Sequence, residues 1–260
     1  SWGPYYDNGV IYGPQALHSG QFNFAVLQPS WGFNMSLYAL TATPDDNQQE
    51  FYPDKYLSIH SIDWRPYNWI TVSFFESVVY GGRFETMYLL PLSPYMVSQG
   101  NTGFRDNSYL GGTFSVRPFD GLKVDGTLLA DDLSFNDMAC LKFDTKWRIA
   151  GQIGTSYAPK RSGLLAMLSF DYTMVTPYTY SHKEGESLSS SAPNFQSYTH
   201  GGGPLGAALD PNSDRLNLRV RLRPLEGVGF DVVGILIRHG NVNEGMDDRR
   251  IREYLTAEDS

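Results

Sequence analysis

The chain has 260 residues with 20 basic and 28 acidic side chains, a formal charge of -8, and is 41% apolar, 14% aromatic and 18% charged. Its one cysteine, Cys140, excludes an intrachain disulfide framework and a cysteine-rich metal site. The negative balance argues against a general nucleic-acid binder, and no apolar run is long enough for a transmembrane helix. What remains is a chain with 17 Tyr, 15 Phe and 5 Trp beside 26 Gly and 15 Pro. Aromatic residues suit the pleated surface of a sheet, while Gly and Pro interrupt helices, so an all-β fold is predicted.

In chain order, alternation of apolar and polar residues predicts strands over 20–28, 31–41, 55–64, 69–80, 108–117, 122–130, 144–157, 163–174, 213–223 and 228–239. Lengths of 9 to 14 residues exceed the about 5–6 usual in soluble sheets and fit the about 9–11 of a tilted membrane strand. In 213–223, Leu216, Leu218, Val220 and Leu222 face one way, with Arg215, Asn217, Arg219, Arg221 and Arg223 facing the other. In 163–174, Leu164, Ala166, Leu168, Phe170, Tyr172 and Met174 oppose Ser169, Asp171 and Thr173. Segments 69–80 and 228–239 are apolar on both faces.

Three bends share one logic: Trp64-Arg65-Pro66-Tyr67-Asn68-Trp69, Val116-Arg117-Pro118-Phe119-Asp120-Gly121-Leu122 and Leu222-Arg223-Pro224-Leu225-Glu226-Gly227-Val228. Proline presets the turn and lacks the donor a ladder needs. With 29–30 and 158–162, these predict connections of 2 to 5 residues. The intervening connections, 42–54, 81–107, 131–143 and 175–212, have 13, 27, 13 and 38 residues. Short and long alternate strictly, which gathers the short turns at one end of the sheet and the long loops at the other. Compact soluble domains seldom carry such loops, whereas outer-membrane barrels have short periplasmic turns and long external loops. The predicted fold is therefore all-β, an antiparallel transmembrane outer-membrane β-barrel. Residues 1–260 are taken as a single barrel domain, the larger C-terminal part of a longer barrel, with 240–260 an unassigned polar tail.

Several motifs carry a family resemblance. They are Ile62-Asp63-Trp64-Arg65-Pro66 with Trp69-Ile70-Thr71-Val72-Ser73 and Glu76-Ser77-Val78-Val79-Tyr80-Gly81, then Tyr88-Leu89-Leu90-Pro91-Leu92-Ser93-Pro94 leading into Asn107 and Gly111-Gly112. There follow Asp125-Gly126-Thr127-Leu128-Leu129-Ala130-Asp131-Asp132, Val175-Thr176-Pro177-Tyr178-Thr179-Tyr180-Ser181-His182, Tyr198-Thr199-His200, Gly203-Pro204-Leu205-Gly206 and Asp210-Pro211-Asn212-Ser213-Asp214. Over 55–223 the chain resembles the capsule-assembly Wzi family of outer-membrane proteins. That resemblance implies a monomeric barrel of about eighteen strands, with helical or extended material packed at one end, acting at the cell outer membrane as a lectin that holds capsular polysaccharide. The partners it implies are surface polysaccharide, the lipid bilayer and lipopolysaccharide.

The candidate sites follow from residue chemistry. The row Arg215, Arg219, Arg221, Arg223 is expected to line the lumen opposite acids such as Asp125, Asp131 and Asp144, or to grip an anionic glycan through its planar guanidinium forks. Glu76, alone among Val72, Phe74 and Val78, must be paired or face the lumen, and is placed with the polar lining. In the loop 175–212, Tyr178, Tyr180, His182, Asn194, Tyr198 and His200, with Phe195, could stack on sugar rings and donate hydrogen bonds. Girdle or loop packing would use the same residues. His182 and His200 with Asp210 or Asp214 lack a known ligand spacing, and Asp131-Asp132 and Asp45-Asp46 lack the donor alternation of a calcium loop. No Gly-x-Ser-x-Gly or His-Glu-x-x-His motif occurs, so neither catalysis nor a cofactor is expected. The alternatives are a pore or transport channel, and a structural barrel subunit of a larger envelope complex in which another protein supplies strands.

Overall fold

Hairpin follows hairpin along the chain. The computed structural model describes residues 8–42, 54–91, 93–103, 106–132, 148–160, 163–180 and 194–240. Its elements are β1 (Gly20–Leu27), β2 (Trp31–Thr41), β3 (Asp54–Tyr67), β4 (Ile70–Gly81), a 3-10 turn (Thr86–Leu89), helix α1 (Tyr95–Thr102), β5 (Asn107–Val116), β6 (Leu122–Asp132), β7 (Arg148–Tyr157), β8 (Leu165–Val175), the two-residue strands β9 (Thr199–His200) and β10 (Gly203–Pro204), β11 (Ser213–Leu225) and β12 (Val228–His239). Ten strands form one sheet in the order β1-β2-β3-β4-β5-β6-β7-β8-β11-β12. Every pairing in it is antiparallel. Among the described residues, β1 and β12 are the two edges and no pairing joins them. The predicted strands all form, except that 144–147 lies outside the described residues.

The alternation of short and long connections is present as expected. The residue ahead of each rim proline makes the last ladder bond. Arg65 N–H donates to Ser30 O at 2.7 Å, Arg117 to Trp69 O at 2.7 Å, Ala158 to Gly121 O at 2.8 Å and Arg223 to Leu164 O at 2.8 Å. Proline then lacks the next donor and pairing on that side stops. Two predicted bends shift as a result. β3 runs through Pro66 to Tyr67 and β11 through Pro224 to Leu225, each across a register irregularity. The tight turns are Asn68-Trp69 and Glu226-Gly227, the latter with Gly227 at φ 79.

The register sorts side chains onto two faces of opposite chemistry. Phe22, Trp31, Ile62, Phe74, Phe114, Leu128, Ile153, Phe170, Leu218 and Val232, one from each strand, share one face, and all are exposed. The other face carries Asn23, Ser36, Ser61, Ser77, Thr113, Thr127, Gln152, Thr173 and Asn217 on the first nine of these strands. β12 departs from this, placing Val233, Ile235 and Ile237 opposite Arg219, Asn217 and Arg215, as its two-sided apolar pattern predicts.

The main core sits on the polar face, at the end of the long connections. There Leu57, Ile59, Phe75, Val79, Tyr109 and Leu129 rise from the strands to meet Val10 and Ile11 from the N-terminal segment and Tyr180, Tyr198 and Leu205 from the 176–212 connection. A second cluster lies on the opposite face, where Tyr88 and Tyr95 pack on Val78 and Tyr80, with Tyr56 alongside. The sheet is thus covered on both sides only near this end of β3–β5, and its apolar face stays open toward the short turns.

Candidate functional site

Beyond the buried core, the polar face is a ladder of side-chain pairs within and between neighbouring strands. Lys123 lies 3.0 Å from Asp125 within β6. Gln152 Nε2 donates to Thr173 Oγ1 at 2.9 Å and to the Asn8 carbonyl at 2.8 Å. Asn217 Nδ2 donates to Asp171 Oδ2 at 2.7 Å, and Arg221 grips Asp231 through two bonds of 2.8 Å each. Arg148 Nη1 stands 3.9 Å from Asp131. Alternation along β11 puts Arg215, Arg219 and Arg221 in one column of this face. Arg215 is buried, and the buried Nε of Arg219 has no hydrogen-bond partner among the described residues. Arg223 sits exposed at the short-turn rim. Of the acids expected opposite this row, Asp125 pairs with a lysine, Asp131 faces Arg148, and Asp144 lies outside the described residues.

Glu76 is a correction. The register puts it on the apolar face, opposite His60 and Leu110, away from the arginine column. Its carboxylate lies 3.3 Å from His60 Nε2 and accepts the Tyr95 N–H at 2.8 Å. A half-buried carboxylate on an apolar face needs a partner, and here the partners are a histidine and a helix N-terminus. Counting back from the 68–69 turn alone would bring His60 opposite Ser77; the irregularity between Trp64 and Tyr67 shifts the pairing by one and brings it opposite Glu76.

Two of the loop aromatics, Tyr180 and Tyr198, occupy the core rather than a surface. Both are 0% exposed and they stack with centroids 5.6 Å apart. Their hydroxyls donate to the carbonyls of Val10 and Ile11, each at 2.7 Å. No ring face is left for a sugar; both rings are core, the loop-packing alternative. Burial pushes the Tyr198 phenol well above its ordinary pKa, and the neighbouring Tyr180 adds to this. His200 is also buried: Nδ1 accepts the Thr41 N–H at 3.0 Å and Nε2 lies 3.2 Å from His18 O. The neutral tautomer protonated at Nε2 satisfies both. Asn194 closes its own turn, with Oδ1 accepting Ser197 N–H at 3.0 Å and Nδ2 donating to Ser197 Oγ at 2.8 Å. Tyr178 is half-buried at φ 68. His182, Cys140 and Asp45-Asp46 lie outside the described residues.

Lys55 is the residue that sequence reasoning missed. Fully buried at the start of β3, it donates from Nζ to Ser197 O at 2.6 Å, Asn194 O at 3.2 Å and Thr199 Oγ1 at 3.3 Å. Three acceptors satisfy the three ammonium donors, fastening the 194–199 chain to the sheet. A lysine at a strand end reads as solvated, so nothing in the sequence marked it. Among the described residues no group of three or more His, Cys, Asp or Glu could hold a metal ion.

No protein-family model matches the chain, and no curated protein matches it. A solved structure does match. It is that of Wzi, described as an outer membrane protein involved in group 1 capsule assembly in Escherichia coli and as a carbohydrate-binding β-barrel. The likeness covers 92% of this chain and 52% of Wzi, with a TM-score of 0.61 and 15% sequence identity. At that identity the likeness is one of fold, and this chain spans about half the length of the structure it matches. Its strands thus resemble part of a barrel-like outer-membrane protein, in keeping with the two-faced meander.

Proposed function

We propose that this chain forms part of the wall of an outer-membrane β-barrel that holds an acidic surface polysaccharide without transforming it. The observation that carries this reading is the division of the sheet into an exposed apolar face and a polar face. An apolar belt crossing all ten strands is far more than a soluble surface leaves uncovered, and it suits lipid contact with the polar face turned inward. The fold likeness to Wzi and the alternation of short and long connections support the same reading. On the polar face, the column Arg215, Arg219, Arg221 offers the donors that a carboxylate-bearing sugar accepts, with Arg219 the member best placed to spare one.

An open pore fits less well, because Val10, Ile11, Tyr180 and Tyr198 close over the polar face at its long-connection end. Closing the barrel requires further strands between the edges β12 and β1, since an open edge in lipid costs several kcal/mol per unpaired group. Those strands come from the same protein or from a partner in the envelope.

The test is binding of defined polysaccharides to the detergent-solubilised protein. Retention of a uronate-bearing polymer, weakened about tenfold by Arg219→Gln if one charge-assisted bond is lost, is expected. Equal retention of a neutral polymer, or no effect of the substitution, contradicts the role given to the arginine column.

A further inference from the structure

Helix α1 is built inside out. Tyr95, Ser98 and Gln99 face the sheet and are buried, whereas Met96 and Val97 point outward, 49% and 65% exposed. A surface helix bathed in water turns its apolar stripe to the core and its polar residues out. Here Ser98 and Gln99 are satisfied on the inner side. Gln99 Nε2 donates to Asp106 O at 2.8 Å while its Oε1 accepts from Ser108 Oγ at 3.0 Å. Ser98 Oγ lies 2.9 Å from Ser93 Oγ and 3.2 Å from the Pro94 carbonyl. No charged residue occurs from Thr86 to Phe104. Of the charges flanking that stretch, Arg83 pairs with Asp106 at 2.6 Å and with Glu85 at 3.6 Å, and Arg105 lies outside the described residues. Phe84 and Leu90 are exposed as well.

The position of this segment names its neighbour. Tyr88 and Tyr95 pack on Val78 and Tyr80, on the same face of β4 as the belt residue Phe74. The outward residues of the segment therefore extend the apolar belt toward the long-connection rim. We propose that residues 83–106 form a collar seated in the headgroup–acyl boundary of the membrane, with Phe84, Leu90, Met96 and Val97 as its lipid contacts. With no charge from Thr86 to Phe104, where all but one of its outward residues lie, the collar binds chiefly by shallow apolar insertion rather than by attraction to anionic lipid. The inference rests on the membrane reading above and adds a second, non-strand contact with lipid.

Spin labels test it in the protein reconstituted into phosphatidylcholine vesicles, in a Cys140→Ser background. Val97→Cys and, as a second position, Met96→Cys report the collar; Leu128→Cys reports the belt and Lys160→Cys the solvated rim. Collisions with oxygen and with a water-soluble nickel chelate are compared. The expected result is that both collar labels lose nickel collisions relative to Lys160→Cys and gain oxygen collisions, following Leu128→Cys. Collar labels open to nickel while Leu128→Cys meets oxygen would overturn the collar and leave the membrane wall standing. Collar labels shielded from both reagents would overturn it in favour of a protein cover. Nickel access at Leu128→Cys too would remove the membrane reading and the collar with it.

Discussion

The Glu76 carboxylate accepts the backbone N–H of Tyr95 at 2.8 Å, so a strand side chain caps a helix whose own N-cap, Pro94, has no side-chain bond to give. The same oxygen lies 3.3 Å from His60 Nε2. One carboxylate thus holds the 83–106 segment against β3 and β4, and a charge otherwise foreign to an apolar face is satisfied.

Replacing Glu76 by Ala removes the cap and leaves His60 without its partner. Loss of a cap costs about 1–2 kcal/mol, which should appear as faster proteolysis within 83–106 while the strands stay protected. Glu76→Gln keeps an acceptor and should lose less. Equal protection in all three proteins would show that the cap does not hold the segment.

Tyr180 and Tyr198 should behave as core residues. Phenylalanine keeps the packing and removes one hydrogen bond each to Val10 and Ile11, at a cost of about 1 kcal/mol per site. Alanine at either position should cost about 3–5 kcal/mol. Denaturation of the variants checks the difference, and polysaccharide retention should be untouched by Tyr198→Phe. A selective loss of retention with full stability would return that ring to the binding surface.

The raised pKa of Tyr198 has a definite sign. The folded state keeps the phenol protonated where the unfolded chain, titrating near about pH 10, releases the proton. The stability tied to this group is whole below that pH and falls as pH rises above it. Tyrosinate absorbance should therefore show a fraction that resists titration until the cap over the polar face opens. Tyr198→Phe should reduce that fraction and shift the opening to higher pH.

Phe195 lies so close over Gly81 that a Cβ there would meet its ring. Gly81→Ala should destabilise the protein by about 1–3 kcal/mol through overpacking. Phe195→Ala in the same chain should recover much of that, giving a coupling energy on the order of 1 kcal/mol or more in a double-mutant cycle. Additive effects would place the ring elsewhere.

How far the fold could be read depended on the range of the signal. Alternation is local, so Leu216, Leu218 and Val220 announced their face, and Arg-Pro marked the rim even where the chain turned a few residues later than predicted. The covering segments gave no such signal. Val10 and Ile11 sit in a stretch without periodicity, and α1 carries its apolar residues outward, against the usual helical pattern. Tyr180 and Tyr198 illustrate why the site was harder than the fold: an aromatic with a polar tip suits a core, a girdle or a sugar equally well, and only the Val10 and Ile11 carbonyls decide among them. Glu76 was recognised as needing a partner, but His60 becomes that partner only once the hairpin register is fixed.

The most direct test of the central claim, that the apolar face meets lipid as part of a barrel wall, is electrophoresis of the protein carrying this chain, extracted from the outer-membrane fraction, with and without boiling. A closed barrel resists detergent until heated, so a heat-dependent change in mobility is predicted. Recovery in the soluble fraction, with the same mobility before and after boiling, would contradict the account and leave the exposed belt in need of another partner.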